Sequence, residues 1–156
     1  MCSVREAGRI NDMTHIAAPC TRLATVATLL ATGGLHVAWG RGSTFPFTTS
    51  AALTDNVVGA SRVPSRRACY TVAAGLGGAA VLVSIPDRGL THRRLVGSLA
   101  VLFAIRAFFG FGGRTDLLVA GSTSTAFRRN DRWVFSPVCI GLALGFAVGS
   151  RRRPVR

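Results

Sequence analysis

The stretch from Leu95 to Gly113, LVGSLAVLFAIRAFFGFGG, holds one charged side chain, Arg106, in nineteen residues. A helix of that length is long enough to cross the hydrocarbon core of a bilayer. A charge at membrane depth is costly and marks a site with a partner. Three further apolar runs, Leu23 to Gly40, Ala68 to Ile85 and Trp133 to Gly149, have similar length. The runs lack the two-residue alternation of strands, and a barrel would need many more segments. An all-α integral membrane bundle of four transmembrane helices is the expected fold.

Composition agrees. A hydrophobic share of 49% and a mean hydropathy of +0.39 are too apolar for a soluble domain of 156 residues. Four spans of about 20 residues use roughly half the chain and leave no room for a separate soluble domain. Residues 1–22 read as a polar, disordered tail, with Met13 an alternative start, and residues 150–156 as a basic tail. Leu23 to Leu35 resembles the core of a signal peptide, but no small-x-small cleavage site precedes His36 and Trp39, so a retained anchor is expected. Residues 41–67 form a Ser/Thr/Pro-rich loop. A tight basic turn spans Arg88 to Arg94, and residues 114–132 form a loop with a short apolar piece, Leu117 to Ala120.

The net charge of +13 comes from 19 arginines without a single lysine. They lie in every loop rather than on one face, and no base-stacking aromatic motif accompanies them, which argues against nucleic acid. Arginines flanking apolar segments suit membrane anchoring instead. With both termini inside, the inner segments carry ten arginines and the outer loops eight. That margin orients both termini towards the cytoplasm by the positive-inside rule. The Arg-, Ala- and Gly-rich, Lys-free composition matches a GC-rich bacterial genome, hence a bacterial cytoplasmic membrane. Cys2, Cys20, Cys69 and Cys139 show no CxxC pair and no zinc spacing, so neither a metal site nor any cofactor is expected. A Cys69–Cys139 bridge is conceivable if the second and fourth helices touch.

Antiparallel spans place several unusual residues at one depth: His36 and Trp39 on one face of the first helix, Cys69 and Tyr70 opening the second, and Arg106 in the third. Asp131, Ser136, Pro137 and Cys139 lie at the start of the fourth. Two readings of this polar cluster stay open. In one, Arg106 is countered by His36, Ser136 or Asp131 in a site for an anionic headgroup or small anion. Alternatively it bonds backbone carbonyls freed near Pro137 and locks the bundle. Gly141, Gly145 and Gly149, with Gly75 and Ala79, form small-residue stripes expected to let helices approach closely.

Several motifs resemble those of a known family. His36-Val37-Ala38-Trp39-Gly40 ends the first helix, and Thr71-Val72-Ala73-Ala74 lies in an Ala-rich second one. Arg106-Ala107-Phe108-Phe109-Gly110-Phe111 ends the third. Phe127 through Asp131 leads into Phe135-Ser136-Pro137-Val138-Cys139. In order and spacing these are similar to small four-helix bacterial, mostly actinobacterial, integral membrane proteins known only as a domain of unknown function. The resemblance covers roughly Leu23 to Val148. Phe135 stands where tyrosine is usual, and Arg41 interrupts the first glycine-rich stretch. The family implies the architecture and no activity.

No nucleophile–base–acid set or cofactor motif is evident, so a non-enzymatic accessory protein that binds lipid or a partner is the leading expectation. Membrane lipids, other membrane proteins or further copies of itself are the expected partners. A small transporter or channel subunit working as a homo-oligomer is the alternative, although it needs polar residues along a whole helix face.

Overall fold

The computed structural model describes residues 3–60, 64–118 and 124–150, with side chains described from residue 19 onward. It is helical throughout, with no strand among the described residues. Helix α1 runs Ser3–Gly40, α2 Ser50–Leu53, α3 Arg66–Ser84, α4 Leu90–Phe111, α5 Thr125–Asn130 and α6 Ser136–Ser150. One wide π-turn, Asp131–Phe135, joins α5 to α6, and another, Thr54–Val58, extends α2.

Among the described residues, four segments are long and apolar enough to cross a membrane: Pro19–Gly40, Arg66–Ser84, Leu90–Phe111 and Thr125–Ser150. At about 1.5 Å per residue they measure roughly 33, 28, 33 and 39 Å, against a hydrocarbon core of about 30 Å. Only 17–28% of each apolar window is buried inside the bundle. Leu30, Val81, Val101, Leu102, Phe108 and Leu144 point outward, an apolar surface that a water-soluble monomer rarely presents.

Boundaries differ from expectation in three places. The segment expected as a disordered tail is helical from Ser3, continuous with the first span through Pro19. The basic turn ends early: Gly89, in the left-handed region at φ 99°, breaks the chain direction, and α4 already contains His92, Arg93 and Arg94. His92 is there because its Nε2 reaches the Leu82 carbonyl at 3.0 Å, tying the α3 end to α4. The fourth span starts at Thr125 rather than Trp133, since Ser124 caps α5 by accepting from the Phe127 N–H at 3.2 Å.

Consecutive long helices run antiparallel. α1 packs along α3 and α4 along α6, and α1 against α6 joins the two pairs, while α3 and α4 barely touch. The apolar core occupies the half nearer the α3–α4 turn: Leu29, Ala79, Ala80, Val83, Val96, Leu142 and Phe146 are buried together. Phe103 stacks on Phe146 with centroids 5.7 Å apart. A fully buried Phe of this kind contributes about 3–5 kcal/mol by truncation. Gly145 sits against Thr25 so closely that a Cβ would collide with its hydroxyl, and Gly149 meets Val83 and Val96 at 3.6 and 3.7 Å. Ala79 belongs to the core, whereas Gly141 and Gly75 face open space. The small-residue stripes therefore pack at Gly145, Gly149 and Ala79 and not at the other two positions.

Candidate functional site

The other end of the bundle, where α1 and α4 finish and α3 and α5 begin, gathers the polar residues. Proline at 137 has no N–H to offer the carbonyl one turn back, and the helix widens just before it. The Ser136 N–H reaches the Asp131 carbonyl, five residues earlier. This wide turn carries Asp131 inward, where 1% of it is exposed.

Arg106 meets it from α4. Its Nη2 donates to Asp131 Oδ1 at 2.6 Å and its Nη1 to Oδ2 at 3.3 Å. This two-pronged geometry matches the guanidinium fork to a carboxylate. The Thr115 hydroxyl, buried in the short 3₁₀ turn after α4, also donates to Oδ2. Asp131 is thus held by three donors, as a carboxylate removed from water requires. Of the counter-groups weighed from sequence, Asp131 is the one joined to Arg106, through its side chain rather than through carbonyls near Pro137.

Gly110, one turn beyond Arg106, makes the approach of the two helices possible. A Cβ there would collide with Ser136 Oγ and lie 2.8 Å from Arg106 Nη1 and 3.0 Å from Asp131 Oδ2. Ser136 is fully buried against this glycine, and its hydroxyl has no hydrogen-bond partner among the described residues. Pro137 faces outward, and Cys139 is half-buried. Cys69 and Cys139 are both free thiols, so the conceivable bridge is not formed.

Arg106 has a second exposure. Its side chain remains 26% accessible, and it lines a cleft of about 260 Å³ under a cap made by residues 43–59. His36 and Trp39 from α1, Val57 and Val58 from the cap, Cys69 and Val72 from α3 and Phe127 from α5 form other walls. His36 and Trp39 share a face, as expected, with ring centroids 4.9 Å apart. The His36 Nδ1 lies 2.9 Å from the Thr32 carbonyl. A carbonyl only accepts, so Nδ1 carries the hydrogen and Nε2 is an acceptor in the neutral ring. The Trp39 indole N–H donates to the Phe45 carbonyl at 2.7 Å and ties the cap to α1. Tyr70, expected nearby, packs its ring on Gly40 rather than lining the cleft.

The cap is latched to α5 from the other side. Asn130 Nδ2 donates to Asn56 Oδ1 at 3.0 Å, and the Ser124 hydroxyl to the Asp55 carbonyl at 2.9 Å. Gly59, at φ 71°, lets Phe127 press directly on the backbone, where a Cβ would lie 2.7 Å from the ring. Thr115 and this cap have no signal in the sequence, and Gly110, legible there only as part of the third helix's end, takes its packing role from Ser136 across the interface. The cap falls in a segment whose Ser/Thr/Pro content signals only a loop, and Thr115 in another without apolar periodicity.

Charge at this end is strongly one-sided. Arg41, Arg66, Arg67, Arg106, Arg114, Arg128, Arg129 and Arg132 face three acidic residues, Asp55, Asp116 and Asp131. No cluster of three metal-ligating side chains occurs among the described residues. A family model described as "Protein of unknown function (DUF3995)" matches residues 29–146, which include the whole Arg106–Asp131 site. No curated protein matches the chain, and no solved structure does.

Proposed function

Since the chain belongs to the DUF3995 family of proteins of unknown function, membership supplies no activity, and we propose one from the site: a non-enzymatic membrane protein that binds an anionic headgroup in the cleft beside Arg106. The observation that carries this reading is the double role of Arg106. A guanidinium has five N–H donors. One from each Nη is engaged by Asp131, while the side chain still forms part of a mostly apolar cleft wall in which it is the one charged group among the described residues. Clamped in this way, it is preorganised to receive an anion without first being ordered. The seven other arginines at this end of the bundle add an attractive field.

Binding rather than catalysis is supported by how the reactive groups are used. Asp131 is saturated by Arg106 and Thr115, and the Ser136 hydroxyl lies sealed against Gly110. Neither is placed to meet a substrate in the cleft. A bacterial cytoplasmic membrane, with both termini on the cytoplasmic side, completes the proposal. It rests on the composition and on the ten-to-eight arginine margin, and it puts the cleft at the outer surface.

The test is thermal unfolding of the detergent-purified protein with added phosphatidylglycerol or phosphatidylcholine, for wild type and Arg106→Lys. Phosphatidylglycerol is expected to stabilise the wild type more than phosphatidylcholine does. Arg106→Lys keeps a cation near Asp131 but loses the fork, and it is expected to lose most of that difference. Equal stabilisation of the wild type by both lipids would rule the reading out.

A further inference from the structure

We infer that the cleft is the upper part of a longer lipid site, and that an acyl chain of the bound anionic lipid lies in the seam between α3 and α4. The inference rests on the headgroup reading above and adds the nature of the ligand's other end.

The seam exists because α3 and α4, although consecutive, scarcely touch. Between them runs an open groove of about 500 Å³ lined by Gly75, Gly78, Ala79 and Leu82 on α3 and by Leu95, Leu99 and Leu102 on α4. Apart from the Ser98 side chain, its walls offer no polar group, so its filling must be hydrocarbon.

The groove continues the cleft. On α3, Val72 lines the cleft, while Gly75, Ala79 and Leu82 line the groove. These steps of three, four and three residues keep one helix face. On α4, Arg106 lines the cleft, and Leu102, Leu99 and Leu95 follow at steps of four, three and four. One stripe on each helix therefore carries both. From Gly75 to Leu82 the groove measures about 10 Å at the helical rise, and from Val72 the whole seam about 15 Å. A cationic head site and an apolar trough continuing from the middle of α3 and α4 towards their connecting turn match an anionic lipid whose chain runs down the seam. A free anion would use only the cleft.

Glycine supplies the trough. A Cβ added at Gly75, Gly78 or Gly77 would meet nothing within 4 Å among the described residues. Gly75 and Gly78 line the groove, and Gly77 lies outside its lining. The first carbon of a side chain at these positions meets no neighbour, and leaving glycine in a helix interior raises helix propensity.

Native mass spectrometry of the detergent-solubilised full chain tests this with Gly75→Leu, Gly78→Leu and the control Gly77→Leu. Each is titrated with dioleoyl-phosphatidylglycerol, dioleoyl-phosphatidylcholine and the chainless sn-glycerol 3-phosphate, and melting temperatures confirm folding. The expected result is a loss of phosphatidylglycerol affinity of tenfold or more in both groove variants, with Gly77→Leu unchanged. Glycerol phosphate should bind wild type and groove variants alike and more weakly than the lipid. Wild-type affinity in folded groove variants would overturn the chain placement while leaving the headgroup reading intact. Glycerol phosphate binding as tightly as the lipid would overturn it too. No preference of the wild type for phosphatidylglycerol over phosphatidylcholine would sink both.

Discussion

Removing Arg106 should harm the bundle more than removing Asp131, although the two form one ion pair. Asp131 is 1% exposed and Arg106 26%. Arg106→Ala strands a buried carboxylate with only the Thr115 hydroxyl beside it, and breaking a buried pair this way costs about 3–5 kcal/mol. Asp131→Ala strands a guanidinium on a long stem, five residues or about 7.5 Å from the end of α4. It can turn through the cleft towards water, so its loss should resemble that of an interhelical polar contact, about 1–2 kcal/mol. Arg106→Met/Asp131→Leu removes both charges and leaves neither stranded. Replacing a buried pair by apolar groups is often neutral or better, so the double variant should be more stable than Arg106→Ala alone. Reversible unfolding in mixed micelles, with far-UV circular dichroism as the readout, measures all three. An Arg106→Ala melting temperature lower by on the order of 10 °C is expected from the usual scaling. Arg106→Ala no worse than Asp131→Ala, or a double variant as unstable as the two single losses combined, would refute the reasoning.

Gly110→Ala forces a methyl into Ser136 Oγ and both members of the ion pair, and overpacking of this kind costs about 1–3 kcal/mol. Ser136→Ala removes a buried hydroxyl that lacks a partner among the described residues, so it should be neutral or stabilising in the same unfolding assay and should partly rescue Gly110→Ala. Thr115→Val deletes one of three donors to Asp131 and should cost about 1–3 kcal/mol. A Thr115→Val protein with wild-type stability would show that this hydroxyl contributes nothing to holding the carboxylate. At the opposite half, Gly145→Ala should destabilise by collision with Thr25, and Thr25→Ala should restore it. No rescue would place the helices further apart than described.

Much of this arrangement is legible in the sequence because the membrane demands it. Runs of apolar residues must become helices to satisfy their backbone, and short connections make neighbours antiparallel. That alone brings His36, Cys69, Arg106 and Asp131 to one end. The lone charge in Leu95–Gly113 identifies Arg106 as needing a partner, and three counter-groups at similar depth were the natural choices. What chose Asp131 is the wide turn before Pro137, and its inward rotation has no signature in hydropathy. Two helices start earlier than hydropathy predicts for a related reason: Leu90–Arg94 and Thr125–Arg132 are polar helical turns, and polarity alone reads as loop. Gly75 and Gly145 look equivalent in sequence, yet one faces an open groove and the other a threonine. Only the partner across the interface distinguishes them.

Four crossings with the ion pair at one end make a direct topological demand. In a cysteine-free background, single cysteines at Ser50, Arg88 and Arg114 would be labelled by a membrane-impermeant maleimide in intact and in permeabilised cells. Ser50 in the cap and Arg114 after α4 should react from the same side of the membrane, and Arg88 in the α3–α4 turn only from the other. Arg88 reacting from the same side as Arg114 would mean that α4 does not cross, and the bundle as described would be wrong.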